Sequence, residues 1–359
     1  MDRLYFIGGG VIARAHAAAA RKIPGGQEIH VTDPSNAAIA AFLSETPEAI
    51  VHPDPSAMLA GPARPTDLVI VATPPVSHAA LAILAFASGR HVLSEKPLAM
   101  TLDEARAMRE AARKAGRHLF DCSVRFMGDP AGQELRTAIG NGSLGSVYHV
   151  TCRHVVPRAR SGIEYQPATR WFLDRSKSGG GALMDWGVYD LATLFEVLSP
   201  TVVDVVHAWT AQPATAADPA DAVFDVETHV GATLVAYADG GRKVVIDYER
   251  ASGTHAEHKL DMQIEGTHGS VSWKWIPFPV ETTELRLRKD AGGNIAETVR
   301  THVLAETVHF HARPVVFARQ AIAGQANAAL ADDRALFNFG VIQGIYTVAA
   351  GGDPVRVTL

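Results

Sequence analysis

Cysteine is scarce in this 359-residue sequence, which has only Cys122 and Cys152 and no C-x-x-C spacing. Two thiols in a chain of this length exclude a disulfide framework and a zinc site built on cysteine pairs, and they favour a reducing cytoplasm. No apolar run approaches the ~20 residues that a membrane span requires. We therefore expect a cytoplasmic protein with no metal centre and no membrane partner.

Basic clusters are also lacking, because the formal net charge is −5 and no long run carries one sign of charge. This excludes the electrostatic footprint of a nucleic-acid-binding protein. The N-terminus has no basic segment before its first apolar run, Leu4–Ile7, and therefore does not resemble a secretory signal. Hydrophobic residues make up 47% and charged residues 20% of the chain, a balance typical of a globular enzyme large enough for two domains.

Strands and helices alternate through the first third of the chain. Short apolar strands are predicted at 4–7, 28–32, 67–72, 91–94 and 118–121. Helical segments separate them, and Thr101 with Glu104 forms a capping box at the start of one helix. This alternation predicts an α/β Rossmann domain with a doubly wound parallel sheet over residues 1–121.

The pattern changes after residue 121. Longer strands follow, and those at 230–237 and 242–250 flank the hairpin signal Asp239-Gly240-Gly241. Helices are predicted at 130–140, 187–198, 312–323 and 333–350. Residues 122–359 are therefore predicted to form an α+β domain with a largely antiparallel open sheet.

A glycine-rich turn between the first strand and the first helix fits the pattern G-x-G-x-x-A. Gly8 permits the tight turn, Gly10 lets a pyrophosphate approach the backbone, and Ala13 allows close packing of helix on strand. The amides of Val11 and Ile12 open the helix, whose N-terminus attracts phosphate. The alternative is a plain glycine-rich turn without a ligand.

A carboxylate at the end of the second predicted strand supports the dinucleotide interpretation. Asp33 lies at the distance along the chain that a ribose contact requires, and no arginine follows it to neutralise a 2′-phosphate. The sequence therefore favours NAD over NADP. Asp33 could also cap the helix that begins near Pro34.

Three longer motifs carry a family resemblance. They are T-P-P-V-S-H at 73–78, G-R-H-V-L-S-E-K-P at 89–97 and G-G-G-A-L-M-D-W-G-V-Y at 179–189. Together they resemble the Gfo/Idh/MocA oxidoreductases, and the resemblance extends over nearly the whole chain. It implies hydride transfer between NAD and a sugar, anhydrosugar or polyol. It also implies that the domain of residues 122–359 binds substrate and supports oligomerisation, as a homodimer or homotetramer.

The resemblance also implies roles for particular residues. The additional cofactor-binding residues would be Thr73, Pro74, His78, Glu95 and Lys96. Lys96 would act on the reacting oxygen as a catalytic residue, with a cis peptide bond to Pro97 as a candidate feature. The alternative for Lys96 is a solvated surface lysine paired with Glu95.

Asp185 and Tyr189 are the remaining catalytic candidates, and their spacing would put them on one face of a helix. Asp185 resembles the family residue that holds a substrate hydroxyl. Many relatives have a catalytic histidine where Tyr189 stands, and a tyrosine that ordinarily ionises near ~10 needs a nearby cation to serve as base at neutral pH. We expect Lys96 to be that cation. The alternative is a buried structural tyrosine hydrogen-bonded to Asp185.

Further substrate-binding candidates are Arg125, Arg170 and Trp171, together with Lys96, Asp185 and Tyr189. Arg125 could instead serve interdomain packing. Trp171 could stack on a sugar ring or anchor a core, and the arginines of 153–175 could bind an anionic substrate or be solvated.

Two other functions remain open at this stage. Some relatives use NAD in redox-assisted glycoside cleavage, and some chains of this fold are non-catalytic dinucleotide or sugar sensors. The intact Lys96, Asp185 and Tyr189 favour the dehydrogenase.

Overall fold

A computed structural model describes residues 2–238, 241–274, 282–303 and 308–359. The strands in chain order are β1 (Asp2–Ile7), β2 (Gln27–Thr32), β3 (Ile50–Val51), β4 (Leu68–Val71), β5 (His91–Ser94), β6 (Leu119–Asp121), β7 (Val147–Val155), β8 (Val202–Ala211), β9 (His229–Ala238), β10 (Arg242–Ala251), β11 (Lys259–Gly266), β12 (Gly269–Trp273), β13 (Thr282–Ala291), β14 (Asn294–Val303) and β15 (Val355–Thr358). The α-helices are α1 (Val11–Ala20), α2 (Asn36–Glu45), α3 (Pro55–Leu59), α4 (His78–Ala87), α5 (Leu102–Ala115), α6 (Pro130–Gly140), α7 (Arg175–Ser178), α8 (Val188–Leu198), α9 (Arg313–Ile322) and α10 (Asp332–Ala349).

The first six strands form one parallel sheet in the order β3-β2-β1-β4-β5-β6. Its central strands are apolar on both faces, because helices cover both sides of a doubly wound sheet. Leu4, Phe6, Val31 and Ile70 are all buried in its core. The strand order reverses between β1 and β4, and ligands of such sheets bind at the carboxyl edge beside that point. The predicted Rossmann fold is confirmed.

Helix α5 illustrates how local sequence sets an element of this unit. Thr101 Oγ1 accepts the amide of Glu104, and the Glu104 carboxylate accepts the amide of Met100. Gly116, with φ of 61°, ends the helix in the left-handed conformation that favours glycine. The predicted cap by Thr101 is therefore present, whereas the carboxylate of Glu104 bonds the amide one residue before the cap instead of that of Thr101.

The other nine strands form a mixed sheet in the order β14-β13-β12-β11-β7-β10-β9-β8-β15. Only the β10–β7 pair is parallel among the described pairings of this sheet. This confirms the predicted α+β region with a largely antiparallel sheet.

Four strands of the structure were not predicted from the sequence. The edge strands β3 and β15 are short, and β13 and β14 form a hairpin whose second strand is exposed along most of its length. Strands that are short or exposed lack the sustained apolar alternation that a half-buried strand shows. Asp239 and Gly240 of the predicted hairpin turn lie outside the described residues.

The chain divides into two compact units, and the division differs from the predicted one. Unit 1 comprises residues 1–125 and 308–339, and unit 2 comprises 126–307 and 340–359. Residues 308–339 were predicted to belong to the second domain. In the structure, Val315 and Ala318 of α9 join the core of unit 1, and the amide of Asp121 donates to the carbonyl of Leu330.

Among the described helices, none combines the length and the apolar character that crossing a membrane would demand.

Candidate active site

The glycine loop connects β1 to α1 in unit 1. Gly8 has φ of 102°, and a Cβ there would lie 2.5 Å from the carbonyl oxygen of Ala72. A Cβ on Gly10 would meet no protein atom within 4 Å. The first glycine is therefore required by the fold, whereas the space in front of Gly10 is open to a ligand. This is the arrangement that a pyrophosphate at a helix N-terminus needs.

Asp33 follows β2 and contacts the same loop. Its Oδ2 accepts the amide of Gly9 at 2.8 Å, and its Oδ1 accepts the amide of Ser35 at 2.8 Å. The cap of α2 is Ser35, whose hydroxyl accepts the amide of Ala38. Asp33 is thus not the helix cap. A carboxylate oxygen can accept more than one hydrogen bond, so Asp33 retains capacity for ribose hydroxyls.

His78 is buried at the start of α4 and holds two loops together. Its Nδ1 lies 2.9 Å from the carbonyl oxygen of Pro97, and its Nε2 lies 2.8 Å from that of Thr73. Burial lowers the pKa of His78, although these carbonyls oppose the shift. Because the imidazole is fully buried and already contacts protein oxygens, it supports the loop around Thr73 and Pro74 rather than presenting itself to a ligand.

The E-K-P segment lies directly after β5, at the carboxyl edge of the sheet. The peptide bond between Lys96 and Pro97 is cis, as the family resemblance implied. Lys96 is half-buried, and its amide donates to Glu95 Oε2 at 3.0 Å. The carboxylate of Glu95 therefore sets the backbone at the lysine.

Glu95 is itself buried, and its carboxylate has two further partners. Its Oε1 accepts from the guanidinium of Arg125 and lies 2.6 Å from Nε2 of His16. Burial opposes ionisation of Glu95, but the positive Arg125 and the hydrogen bond with His16 outweigh it and hold the pKa well below its usual range. Arg125, predicted to bind substrate, is thus buried and ion-paired in unit 1.

Asp121 ends β6, directly opposite Ser94 of β5. It is 3% exposed, and its Oδ1 accepts the amide of Ser123 at 2.6 Å. Burial is the main cause that raises the pKa of Asp121 to about 6, and the negative Glu95 adds to it. This residue could not be singled out from the sequence, because no motif distinguishes it from other strand-terminal aspartates.

Asp185 and Tyr189 lie in unit 2, and the helix that carries them is not a regular α-helix. Asp185 belongs to a π-helical turn, Leu183–Gly187, that precedes α8. The assumption of plain α-helical spacing was therefore wrong. Gly187 ends this turn, and a Cβ there would lie 2.7 Å from the hydroxyl of Tyr248, so the position requires glycine. Single π-helical turns are frequent at functional sites.

The side chains of the pair have different surroundings. Asp185 is half-buried, and its Oδ2 accepts from the hydroxyl of Ser161. Tyr189 is 1% exposed, and its ring packs edge-on against Phe126 and Trp186, with ring centroids 5.0 and 5.5 Å apart. Asp185, but not Tyr189, lines a pocket within unit 2.

The predicted substrate contacts Arg170 and Trp171 do not line this pocket. Ser161, Phe172 and Trp186 line it together with Asp185. Trp171 is not among the lining residues, and its ring stacks on Phe172 with centroids 4.0 Å apart. Arg170 is exposed and donates to the carbonyl of Gly162 at 2.6 Å.

The glycine triplet before Asp185 has a structural reason that the sequence did not reveal. A Cβ on Gly181 would lie 1.8 Å from the carbonyl oxygen of Glu227, and one on Gly180 would lie 2.2 Å from the hydroxyl of Tyr346. The buried carboxylate of Glu227 accepts the amides of Gly181 and Leu183 at 2.9 and 3.0 Å. Glu227 therefore caps the helical segment that carries Asp185.

A second buried ion pair, between Asp190 and Arg250, follows this segment in unit 2. Asp190 of α8 accepts from the guanidinium of Arg250 and from the hydroxyl of Tyr248. Burial opposes ionisation, but the positive Arg250 outweighs it and lowers the pKa of Asp190. This pair fixes α8 against β10 within unit 2.

The parallel sheet, its glycine loop at a helix N-terminus and the carboxylate of Asp33 beside that loop are typical of dinucleotide-binding proteins. Comparison with family models narrows this class. Residues 3–121 match the model described as "Oxidoreductase family, NAD-binding Rossmann fold", and residues 133–272 match the "GFO/IDH/MocA C-terminal domain". The chain belongs to the Gfo/Idh/MocA family of oxidoreductases, which confirms the resemblance and the NAD-binding Rossmann domain.

Curated relatives include D-glucoside 3-dehydrogenase of Escherichia coli (strain K12), 38% identical over 161 residues, which are 45% of this chain and 43% of the relative. Another is 1,5-anhydro-D-fructose reductase of Ensifer adhaerens, 31% identical over 216 residues, which are 57% of this chain and 59% of the relative. The chain thus aligns with about half the length of these relatives.

Solved structures share the fold over 99% of this chain. Levoglucosan dehydrogenase in complex with NADH and levoglucosan, covered to 99%, superposes with a TM-score of 0.78 at 18% identity. The WlbA dehydrogenase from Bordetella pertussis, in complex with NADH and UDP-GlcNAcA, has a TM-score of 0.74 at 24% identity and is covered to 98%.

Proposed function

We propose that the protein is an NAD-dependent dehydrogenase that transfers a hydride between the nicotinamide and a hydroxyl-bearing carbon of a sugar, anhydrosugar or polyol. The observation that carries this proposal is the fixed E-K-P segment, in which the backbone of Lys96 is hydrogen-bonded to a buried, ionised Glu95 at the carboxyl edge of the Rossmann sheet. Because its backbone is held in this way, Lys96 extends from a fixed point of the chain, and its ammonium is suited to act on an oxygen that gains or loses charge.

The residues of unit 1 fit the cofactor. The open space in front of Gly10 and the amides at the start of α1 suit a pyrophosphate, and Asp33 suits the ribose hydroxyls. NAD supplies the hydride acceptor when it is bound. The chain's contribution is to orient the cofactor through Gly8 to Ala13 and to discriminate against a 2′-phosphate through the negative charge of Asp33.

Lys96 is the proposed catalytic residue in unit 1. Its ammonium donates a hydrogen bond to the reacting oxygen of the substrate and stabilises the negative charge that develops there. We assign Glu95 and Arg125 to holding this lysine rather than to direct contact with the substrate, because both side chains are buried and paired with each other.

Asp185 and Tyr189 are the proposed catalytic residues in unit 2. Asp185 is suited to accept a substrate hydroxyl, since its half-buried carboxylate already accepts a hydrogen bond from the hydroxyl of Ser161. Tyr189 is proposed as the proton acceptor, and Arg170 and Trp171 as outer substrate contacts.

The substrate class rests on the relatives. The matched proteins are named for reactions of a D-glucoside and of 1,5-anhydro-D-fructose, which supports a carbohydrate as substrate here. We further propose that the protein works in a reducing cytoplasm, which two buried free thiols support. We also propose that it assembles as a homodimer or homotetramer.

The experiment that tests this function measures NADH absorbance with the purified chain, NAD and a panel of D-glucosides, anhydrosugars and inositols. We expect net NADH formation with at least one class and slower or no reduction of NADP. Product analysis accompanies the assay, because release of free sugar without net NADH would assign the protein to glycoside cleavage instead. Absence of both with every compound would contradict an enzymatic function.

A further inference from the structure

A buried polar cluster in unit 1 lies between the glycine-loop helix and the E-K-P segment. We define the Glu95 cluster as His16, Glu95, Cys122, Arg125 and His311. His16 lies on α1, at 0% exposure, with Nε2 2.6 Å from Glu95 Oε1 and Nδ1 2.7 Å from the carbonyl oxygen of His311. No motif used for the dehydrogenase proposal includes His16.

The cluster is built around one carboxylate that has hydrogen-bond partners at both of its oxygens. Oε2 of Glu95 accepts the amide of Lys96, whereas Oε1 receives His16 and Arg125. A carboxylate held at one oxygen by two side chains cannot rotate without breaking those contacts. The orientation of the other oxygen, and with it the backbone of Lys96, is therefore fixed from α1.

The surroundings of Glu95 argue against a metal site or a reactive thiol in this cluster. His16, Glu95 and Cys122 offer ligand atoms within 4.8 Å of one another, as a metal site would. Arg125 Nη2, however, already contacts Glu95 and lies 3.4 Å from Nε2 of His16, so a guanidinium occupies the position of the cation. Burial raises the pKa of Cys122 well above its usual value and keeps the thiol neutral. Burial and the positive Arg125 lower the pKa of His311 to about 3.

We infer that His16 is a positioning residue, which holds Glu95 from the cofactor-binding helix so that Lys96 is oriented for hydride transfer. The inference rests on the proposed function of Lys96. It connects the two tasks of unit 1, because α1 begins at the pyrophosphate-binding loop and, less than two turns further on, holds the carboxylate that orients the lysine.

The test compares His16→Leu with His30→Leu in the full-length enzyme. His30 is a matched control, because it is also buried in unit 1 and hydrogen-bonded to a carboxylate, that of Glu28, but it lies on β2 away from Glu95. We expect His16→Leu to lower kcat by about 100-fold, the loss that a displacement of about 1 Å causes at a reacting centre. The KM for substrate and the Kd for NADH, measured by fluorescence titration, should change little. His30→Leu should leave kcat near that of the wild type.

A double-mutant cycle separates positioning from general damage to the fold. If His16 acts through Lys96, His16→Leu should cause no further loss of single-turnover hydride transfer in a Lys96→Ala background. His16→Gln restores a hydrogen-bond donor and should recover part of kcat. It also takes the place of His16→Leu in the cycle if the leucine variant does not fold.

An equal effect of His16→Leu in both backgrounds, or equal losses in His16→Leu and His30→Leu, would overturn the inference. A wild-type kcat in His16→Leu would also overturn the inference. If Lys96→Ala is inactive in the same experiment, the proposed function itself stands. Near-wild-type turnover of Lys96→Ala itself would reject the role of the lysine and this inference with it.

Discussion

Replacing Asp121 by asparagine should stabilise the protein at neutral pH. Burial raises the pKa of Asp121 from 3.8 to about 6 in the folded chain. The folded state therefore binds the proton of the Asp121 carboxyl more tightly than the unfolded state does. The stability that this protonation contributes is fully present below about pH 4 and is lost as the pH rises through about 6. A difference of about 2 pKa units, at about 1.4 kcal/mol per unit, corresponds to about 3 kcal/mol.

An asparagine side chain in place of Asp121 would retain the oxygen that accepts the amide of Ser123 and would never ionise. We therefore expect Asp121→Asn to raise the free energy of unfolding by about 3 kcal/mol at pH 7 and by almost nothing near pH 4. The measurement is urea denaturation of both proteins at several values between pH 4 and pH 7, with the m-value compared to confirm that the same surface unfolds.

Asp190 provides a control of opposite sign. It is also fully buried, but the positive Arg250 lowers its pKa, so ionised Asp190 stabilises the fold at neutral pH. Asp190→Asn should destabilise the protein by about 3–5 kcal/mol, because it leaves Arg250 without its counter-charge. The reasoning about Asp121 is refuted if Asp121→Asn is no more stable than the wild type at pH 7, or if its advantage persists unchanged at pH 4.

Three further predictions concern the cofactor and the proton acceptor. Asp33→Ala should weaken NAD binding and narrow the preference over NADP, as titration with both cofactors would measure; tighter binding of NADP by the wild type would contradict this assignment. Gly10→Ala should have the unfolding temperature of the wild type, because the added Cβ meets no protein atom within 4 Å. It should nevertheless bind NADH more weakly, and an unchanged affinity for NADH would exclude a pyrophosphate at Gly10. Tyr189→Phe should lower turnover strongly with little change in NADH affinity and should abolish the alkaline limb of the pH–rate profile; normal turnover would transfer the base role to another group such as Asp185.

The sequence predicted those parts of the molecule that depend on local patterns. Strand–helix alternation and the turn at Gly8 specify the Rossmann sheet, because each βα unit carries its own apolar period and turn residues. The family motifs identified the cis bond at Lys96. Strand β14 escaped prediction because an exposed strand has no apolar face to reveal its period.

The parts that the sequence did not predict depend on contacts between distant residues. His16 and Glu95 are 79 positions apart and meet only because the parallel sheet brings the carboxyl end of β5 beside α1. Arg125 was a candidate either for substrate binding or for interdomain packing, whereas in the structure it forms an ion pair with the buried carboxylate of Glu95. Gly181 was assigned to a functional motif, whereas its close approach to Glu227 also requires glycine for packing.

The proposed function depends on Lys96 acting on a carbohydrate hydroxyl in an NAD-dependent hydride transfer. The decisive measurement is NADH formation by wild type and Lys96→Ala on the best substrate of the panel, with NADH affinity titrated in parallel. We predict a turnover lower by about two to three orders of magnitude in Lys96→Ala, with NADH binding preserved because the glycine loop holds the pyrophosphate. Turnover near that of the wild type in Lys96→Ala would contradict it.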